Sequence, residues 1–290
     1  MTRSQATLIG VAAILVWGAL ALLTTYTGKI PPFQLTAMTF AVAGGLAGVK
    51  WIILRQSPRQ FLRQPWPVWF VGVGGLFGYH FFYFTALRYA PPAEASLVSY
   101  LWPLLIVLMS GLVPGERLRW FHLLGAATAF LGAVTLILRE GSSFSGSALI
   151  GYLAAVVCAF VWSGYSVLSR RFGEVPTDSV GGFCLATAVL AGISHAFLEQ
   201  WVWPEELTVW AAVIALGIGP VGMAFFAWDI GMKRGDIRFL GVLSYAAPAL
   251  STLLLILFDR AELSWAIAAG CGLIVSGAII ASLDKLRLSW

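Results

Sequence analysis

The residues best suited to chemistry lie in the run Gly78-Tyr79-His80-Phe81-Phe82-Tyr83-Phe84, inside a long apolar stretch. Read as a helix, it sets Tyr79 and Tyr83 four residues apart and His80 three before Tyr83, so the three share one face. Phenol and imidazole edges sit badly against hydrocarbon, so this face is expected to turn inward. The chemistry on offer is recognition rather than bond making. Flat rings can wall a ligand while hydroxyl, indole and imidazole groups bond its polar ends.

A second constellation follows at Ser99, Tyr100, Trp102 and Pro103. Proline cannot donate to the carbonyl four residues back, which frees a carbonyl near Ser99. In hydrocarbon that group needs a partner or a water-filled cavity. The pattern recurs as Ser244-Tyr245-x-x-Pro248. Matched breakers in two halves of a membrane chain point to a binding site between them. Trp17, Trp162, Ser163 and Trp228 complete the expected ligand-contacting set, with Pro103, Pro248, Gly78 and Gly219 as expected hinges. Glycine tracks at Gly44, Gly45 and Gly48, at Gly72, Gly74 and Gly75, and at Gly217 and Gly222 let helices approach closely.

Other chemistries find no seat. Gly-x-Ser-x-Gly, His-Glu-x-x-His and paired carboxylates within an apolar run are all absent from the sequence. Cys158, Cys184 and Cys271 stand at unrelated spacings in apolar segments and read as packing residues, so no metal or cofactor is expected. His80 is the deepest ionisable side chain. His195, Glu94 and Asp229 fall nearer the ends of their runs, where water or headgroups are expected to reach them. A proton relay built on carboxylates therefore has no central position, and any proton coupling would use His80.

These residues need elements that hold them in a bilayer. Hydrophobic residues make up 59% of the 290-residue chain and charged residues 11%, against roughly 25% charge in soluble domains. The apolar runs are unbroken rather than alternating, so the expected fold is an all-α polytopic membrane protein. Gly, Pro and charge clusters divide it into ten spans near 6–27, 32–54, 66–87, 92–113, 119–138, 147–169, 177–198, 208–230, 237–258 and 264–283. The first run is too long for a removable signal.

The chain also repeats itself at an offset of 145 residues. Trp17 matches Trp162, Gly28 matches Gly173, Pro31 matches Pro176, and Trp120, Gly125 and Gly132 match Trp265, Gly270 and Gly277. Two five-helix units, 1–145 and 146–290, are expected, joined by the linker Arg139–Ser147. Five spans per unit is odd, so the second unit should be inverted relative to the first. With the N-terminus inside, all of the 18 Lys and Arg except Lys29, Arg88, Arg139 and Arg260 fall on the cytoplasmic side. Both termini are then cytoplasmic, and the net charge of +5 is a topology signal rather than a nucleic-acid surface. An internal dyad can complete a carrier within one chain, so a monomer is expected.

The Val16-Trp17-Gly18 opening and its copy Val161-Trp162-Ser163 belong to a recognisable pattern. So do the segment Ala90–Ser96 running into Tyr100-Leu101-Trp102-Pro103-Leu104, the acidic Glu116, and Gly125 and Gly132 seven apart. Together these resemble the drug/metabolite transporter superfamily of EamA type. Residues 78–84 and 99–103 make the likeness strongest to its YddG-type aromatic amino-acid exporters. The resemblance implies a multi-pass protein of the bacterial inner membrane that exports aromatic and other neutral amino acids. Alternating access would work around a cavity between the repeats. Other metabolite or drug exporters are the alternative within the class, and a channel or a non-transporting scaffold lies outside it. A cationic-drug exporter would want a membrane-embedded glutamate, and a sugar-phosphate carrier would want central Lys or Arg.

Overall fold

The computed structural model describes residues 1–138, 145–259 and 264–283. Nine helical spans among these are long and apolar enough to cross a bilayer. They are α1 (Arg3–Thr25), α2 (Pro32–Ile53), α3 (Trp66–Tyr89), α4 (Pro92–Ser110), α5 (Trp120–Ile137), α6 (Gly146–Phe172), α7 (Ser179–Leu198), α8 (Leu207–Arg234) and α9 (Ile237–Leu257). The tenth expected span is the shorter apolar helix α10 (Trp265–Ala281). Arg139, Arg260, Lys285 and Arg287, used in the charge reading, and most of the expected linker lie outside the described residues. Proline opens α2 and α4 at Pro32 and Pro92, where a missing N–H costs nothing. Side chains cap others: Thr2 pairs with Gln5 at α1, and Asp236 accepts from Phe239 N at 3.1 Å to start α9. Bulky Leu, Ile, Phe and Trp remain exposed on the outer faces of the helices, a pattern that hydrocarbon covers and water does not.

Among the described residues, four spans are interrupted in their interiors, and α6 begins and ends in 3-10 turns at Gly146–Ala148 and Ser169–Phe172. Breaks fall at Tyr100–Leu101 in α4 and Ser244–Tyr245 in α9, each just before the proline that the sequence singled out. The α1 span breaks at Ala19, and α8 contains a π-helical turn at Gly219–Met223. A short helix, Arg59–Leu62, also lies between α2 and α3. The sequence reading foresaw neither the α1 break nor the π turn. Ser251 supports the first by donating to Gly18 O at 2.8 Å.

Helices pack most extensively as α5 with α10, α3 with α6, α2 with α7 and α1 with α8. At the α5–α10 crossing backbone lies against backbone. A Cβ on Gly125 would lie 2.6 Å from Gly277 O, and one on Gly132 would lie 2.7 Å from Gly270 O. Because the lower number on one helix meets the higher on the other, the two run antiparallel. Among the expected small-residue tracks, Gly44, Gly72, Gly75 and Gly217 abut side chains of other helices, whereas Gly45, Gly48 and Gly74 face nothing within 4 Å.

One end of the bundle is tied by charge. Glu116, between α4 and α5, lies 2.8 Å from Arg3, 3.2 Å from Arg170 and 3.3 Å from Arg238. Asp236 adds weaker contacts to Arg3 and Arg238, and Lys50 meets Asp178 at 2.6 Å. The groups expected to be water-accessible near span ends are instead buried, with His195, Glu94 and Asp229 at 7%, 4% and 2% exposed. Protein partners replace water there. Asp229 bonds Lys233 at 2.9 Å and Thr177 at 2.7 Å, and His195 meets Glu199 at 2.9 Å. Glu199 also accepts from the first amides of α2, Phe33 N and Gln34 N, which is where a carboxylate best meets a helix dipole.

Candidate functional site

Where α1, α3, α4, α6 and α8 converge, their aromatic side chains form one cluster. Trp17 is its hub, with ring centroids 5.1 Å from Trp228, 5.8 Å from Trp162, 6.0 Å from Phe225 and 6.5 Å from Trp102. Trp162 reaches Tyr79 at 5.3 Å, and Tyr79 stacks on Tyr83 at 5.9 Å, as the four-residue spacing predicts. His80 meets Tyr79 at 5.3 Å and stands edge-on to Phe40 at 5.1 Å. Most contacts are tilted or edge-to-face, the arrangement that ring quadrupoles favour.

The polar edges divide into those the protein satisfies and those it leaves. Trp17 Nε1 donates to Pro220 O at 3.0 Å, and Trp228 Nε1 to Ser166 Oγ at 3.0 Å. Ser163 Oγ lies 2.7 Å from Ala159 O and 2.9 Å from Trp102 O, so its one proton ties α6 to the second half of α4. Tyr83 Oη pairs with Ser96 Oγ at 3.1 Å. His80 Nδ1 sits 2.8 Å from Leu76 O. A carbonyl only accepts, so Nδ1 carries the proton and Nε2 keeps a lone pair. Among the described residues, no protein acceptor meets the indole N–H of Trp102 or Trp162, and none meets the Tyr79 hydroxyl.

Of the expected contact residues, the structure gathers Tyr79, His80, Tyr83, Trp102, Trp17, Trp162 and Trp228, with Ser163 at their edge. Tyr245 and Ser244 sit apart, whereas Tyr100 and Ser99 stand at the margin of the group. Tyr245 is fully buried in a second cluster with Phe130, and its hydroxyl accepts from Leu104 N at 3.2 Å. That bond serves an amide at the α4 break. Tyr100 packs against the same cluster, with its hydroxyl an electrostatic neighbour of those of Tyr79 and Tyr83. Ser244 is fully buried and donates to Leu240 O at 2.7 Å. Ser99 is buried beside the Cys158 thiol. Of the expected hinges, Pro103 and Pro248 lie just after the α4 and α9 breaks. Gly219 opens the π turn, while Gly78 sits in unbroken helix.

Sequence reasoning missed Phe40 as a wall and Ser166 and Pro220 as acceptors. Phe225 stands 145 residues after His80, so the repeat marks it as part of the aromatic wall. Ser166 lies one turn after Trp162 but carries no signal of its own. Among the described residues, no three His, Cys, Asp or Glu side chains gather as a metal would need.

Among the described residues, an all-helical bundle with nine membrane-length spans around an aromatic centre defines a polytopic membrane protein. Residues 5–138 and 149–283 each match the EamA-like transporter family, and the chain belongs to it. It is 59% identical over 289 residues, covering 99% of this chain and 100% of the relative, to the aromatic amino acid exporter YddG of Ancylobacter novellus. The exporter of the same name from Salmonella typhimurium is 26% identical, again covering 99% of this chain and 100% of the relative. A solved crystal structure 57% identical in sequence superposes over 100% of both chains with a TM-score of 0.94.

Proposed function

We propose that this chain exports aromatic amino acids, and other neutral ones, across a bacterial inner membrane by alternating access. The observation that carries the reading is the aromatic cluster with its unclaimed polar edges, in a chain similar throughout to a named aromatic amino acid exporter. A zwitterion bearing a flat ring matches both features. The rings of Tyr79, Trp162 and Trp102 would hold the substrate ring. His80 Nε2 and the Tyr83 and Tyr79 hydroxyls would accept from the ammonium, and the free indole N–H groups of Trp102 and Trp162 would bond the carboxylate. Ser163, Ser99 and Tyr100 border this region, whereas Trp228, Ser244 and Tyr245 back it from behind.

The moving parts would be α3, α4, α8 and α9, turning at Pro103, Pro248, Gly78 and Gly219 around a cavity between two inverted repeats. The antiparallel α5–α10 crossing supports inversion, since the 145-residue offset maps each of these helices onto the other. It maps the contact Gly125–Gly277 onto Gly270–Gly132, as a pseudo-two-fold axis requires. Swapping halves likewise turns the α3–α6 pair into α8–α1, and both pairs are among the most extensive. Both termini would be cytoplasmic and one chain would suffice.

Proteoliposomes preloaded with unlabelled phenylalanine, and an empty control, test the reading. Labelled phenylalanine should accumulate only in the preloaded vesicles, and tryptophan should suppress the uptake. Uptake equal in both vesicle types would indicate a channel, and none above protein-free vesicles would move the substrate to another metabolite class.

A further inference from the structure

The π turn in α8 lies where the helix changes neighbours. Its first half, Leu207–Ile218, lies on α2, where a Cβ on Gly217 would come 2.6 Å from Val42 Cβ and 2.9 Å from Thr39 O. Its last half, Ala224–Arg234, lies on α1, where a Cβ on Gly231 would come 2.8 Å from Gly10 Cα. Between them Gly219 holds φ −85° and ψ −91°, well off helical geometry, and Ala224 N reaches back to Gly219 O. Gly222 is required there, because a Cβ would stand 2.5 Å from Gly217 O. Such turns leave carbonyls in search of donors and recur at functional sites.

Trp17 answers one of those carbonyls. Its N–H donates to Pro220 O inside the turn at 3.0 Å. Its ring meets Phe225 and Trp228 on the last half of α8 and Trp102 and Trp162 on α4 and α6. One side chain thus touches the joint, the half-helix beyond it and the cluster. The matched site in the first half lacks this arrangement. Residues 74–78 lie in continuous α-helix from Trp66 to Tyr89, and the indole N–H of Trp162 meets no protein acceptor among the described residues.

We infer that Trp17 is a positioning residue whose indole N–H fixes the α8 joint and couples it to the rings that would surround a substrate. The inference rests on the export reading for its role in turnover, but the joint itself can be read without substrate. Trp17→Phe keeps an aromatic ring and removes the donor. Hydrogen–deuterium exchange of the purified protein in nanodiscs should then quicken about threefold to tenfold over Gly219–Met223, the equivalent of one net hydrogen bond. Trp162→Phe, at the matched position, should leave that segment unchanged. In proteoliposomes Trp17→Phe should lower the maximal phenylalanine counterflow rate about tenfold while KM moves less than threefold. Unchanged exchange at Gly219–Met223, or a rise in KM with maximal rate preserved, would overturn the assignment and make Trp17 a packing or contact residue. Wild-type protein without counterflow would sink the export reading alone, because the exchange measurement would still decide whether Trp17 sets the joint.

Discussion

At Trp228 and Ser166 a single hydrogen bond separates what a ring is from what it can offer. Trp228 is completely buried, and its N–H is spent on Ser166 Oγ, also completely buried. Trp228 therefore contributes a wall, while Trp102 and Trp162 retain a donor. Ser166→Ala would leave the Trp228 N–H sealed without an acceptor, at a cost of about 1–3 kcal/mol. The expected outcome is a lower thermal unfolding midpoint in detergent, with the KM for phenylalanine unchanged. His80 follows the same logic in reverse, since its bond to Leu76 O leaves Nε2 open. The residue types and the shared face of Tyr79, His80 and Tyr83 were legible in the sequence because helical spacing dictates them. Which donors remain unclaimed was not legible. It depends on Ser166 and Pro220, whose roles arise only when helices far apart in sequence are packed.

Helices here are positioned by what their small residues permit. The α5–α10 crossing brings backbone against backbone at two levels, so a methyl group at either has no space. Gly132→Ala would place its Cβ 2.7 Å from Gly270 O and 2.8 Å from the Ile274 side chain. Overpacking of this kind costs about 1–3 kcal/mol. Gly132→Ala should reduce the monodisperse fraction on size exclusion after mild heating. Gly74→Ala, with nothing within 4 Å, should not. The glycine matches at 125, 132, 270 and 277 were visible as a repeat, yet the sequence could not say that they meet one another. The breaks in α4 and α9 were legible because proline lacks a donor. The π turn was not, because its cause is shared among Gly219, Pro220, Gly222 and a tryptophan some 200 residues away.

Across the whole molecule, the multi-pass helical class and the transporter class followed from apolar length and a 145-residue echo, both of which are one-dimensional. The charge network at one end did not, since it joins α1, the α4–α5 segment, α6 and the start of α9. Glu116 is its centre, with a side chain only 4% exposed and three guanidinium partners. Removing its charge would leave Arg170 and Arg238 close together in a poorly hydrated place, at a cost on the order of 3 kcal/mol. Arg3, at 49% exposed, adds little to that figure. Glu116→Gln should therefore lower the unfolding midpoint by several degrees. Added salt should narrow the gap to wild type only slightly, because buried charges are weakly screened.

That network also has no charged echo at the 145-residue offset. Shifted by 145 residues, Arg3, Glu116, Arg170, Asp236 and Arg238 become Ala148, Ala261, Thr25, Pro91 and Ala93, without a charge among them. A bundle of two matched halves would have interchangeable mouths, like a tube that can be turned end for end. Here the five charges at one end have no charged counterpart in the other half of the sequence. Two copies of residues 1–145 fused in tandem would carry Arg3 and Glu116 twice but never Arg170, Asp236 or Arg238. Five side chains that the echo does not repeat are enough to tell the two halves of the sequence apart.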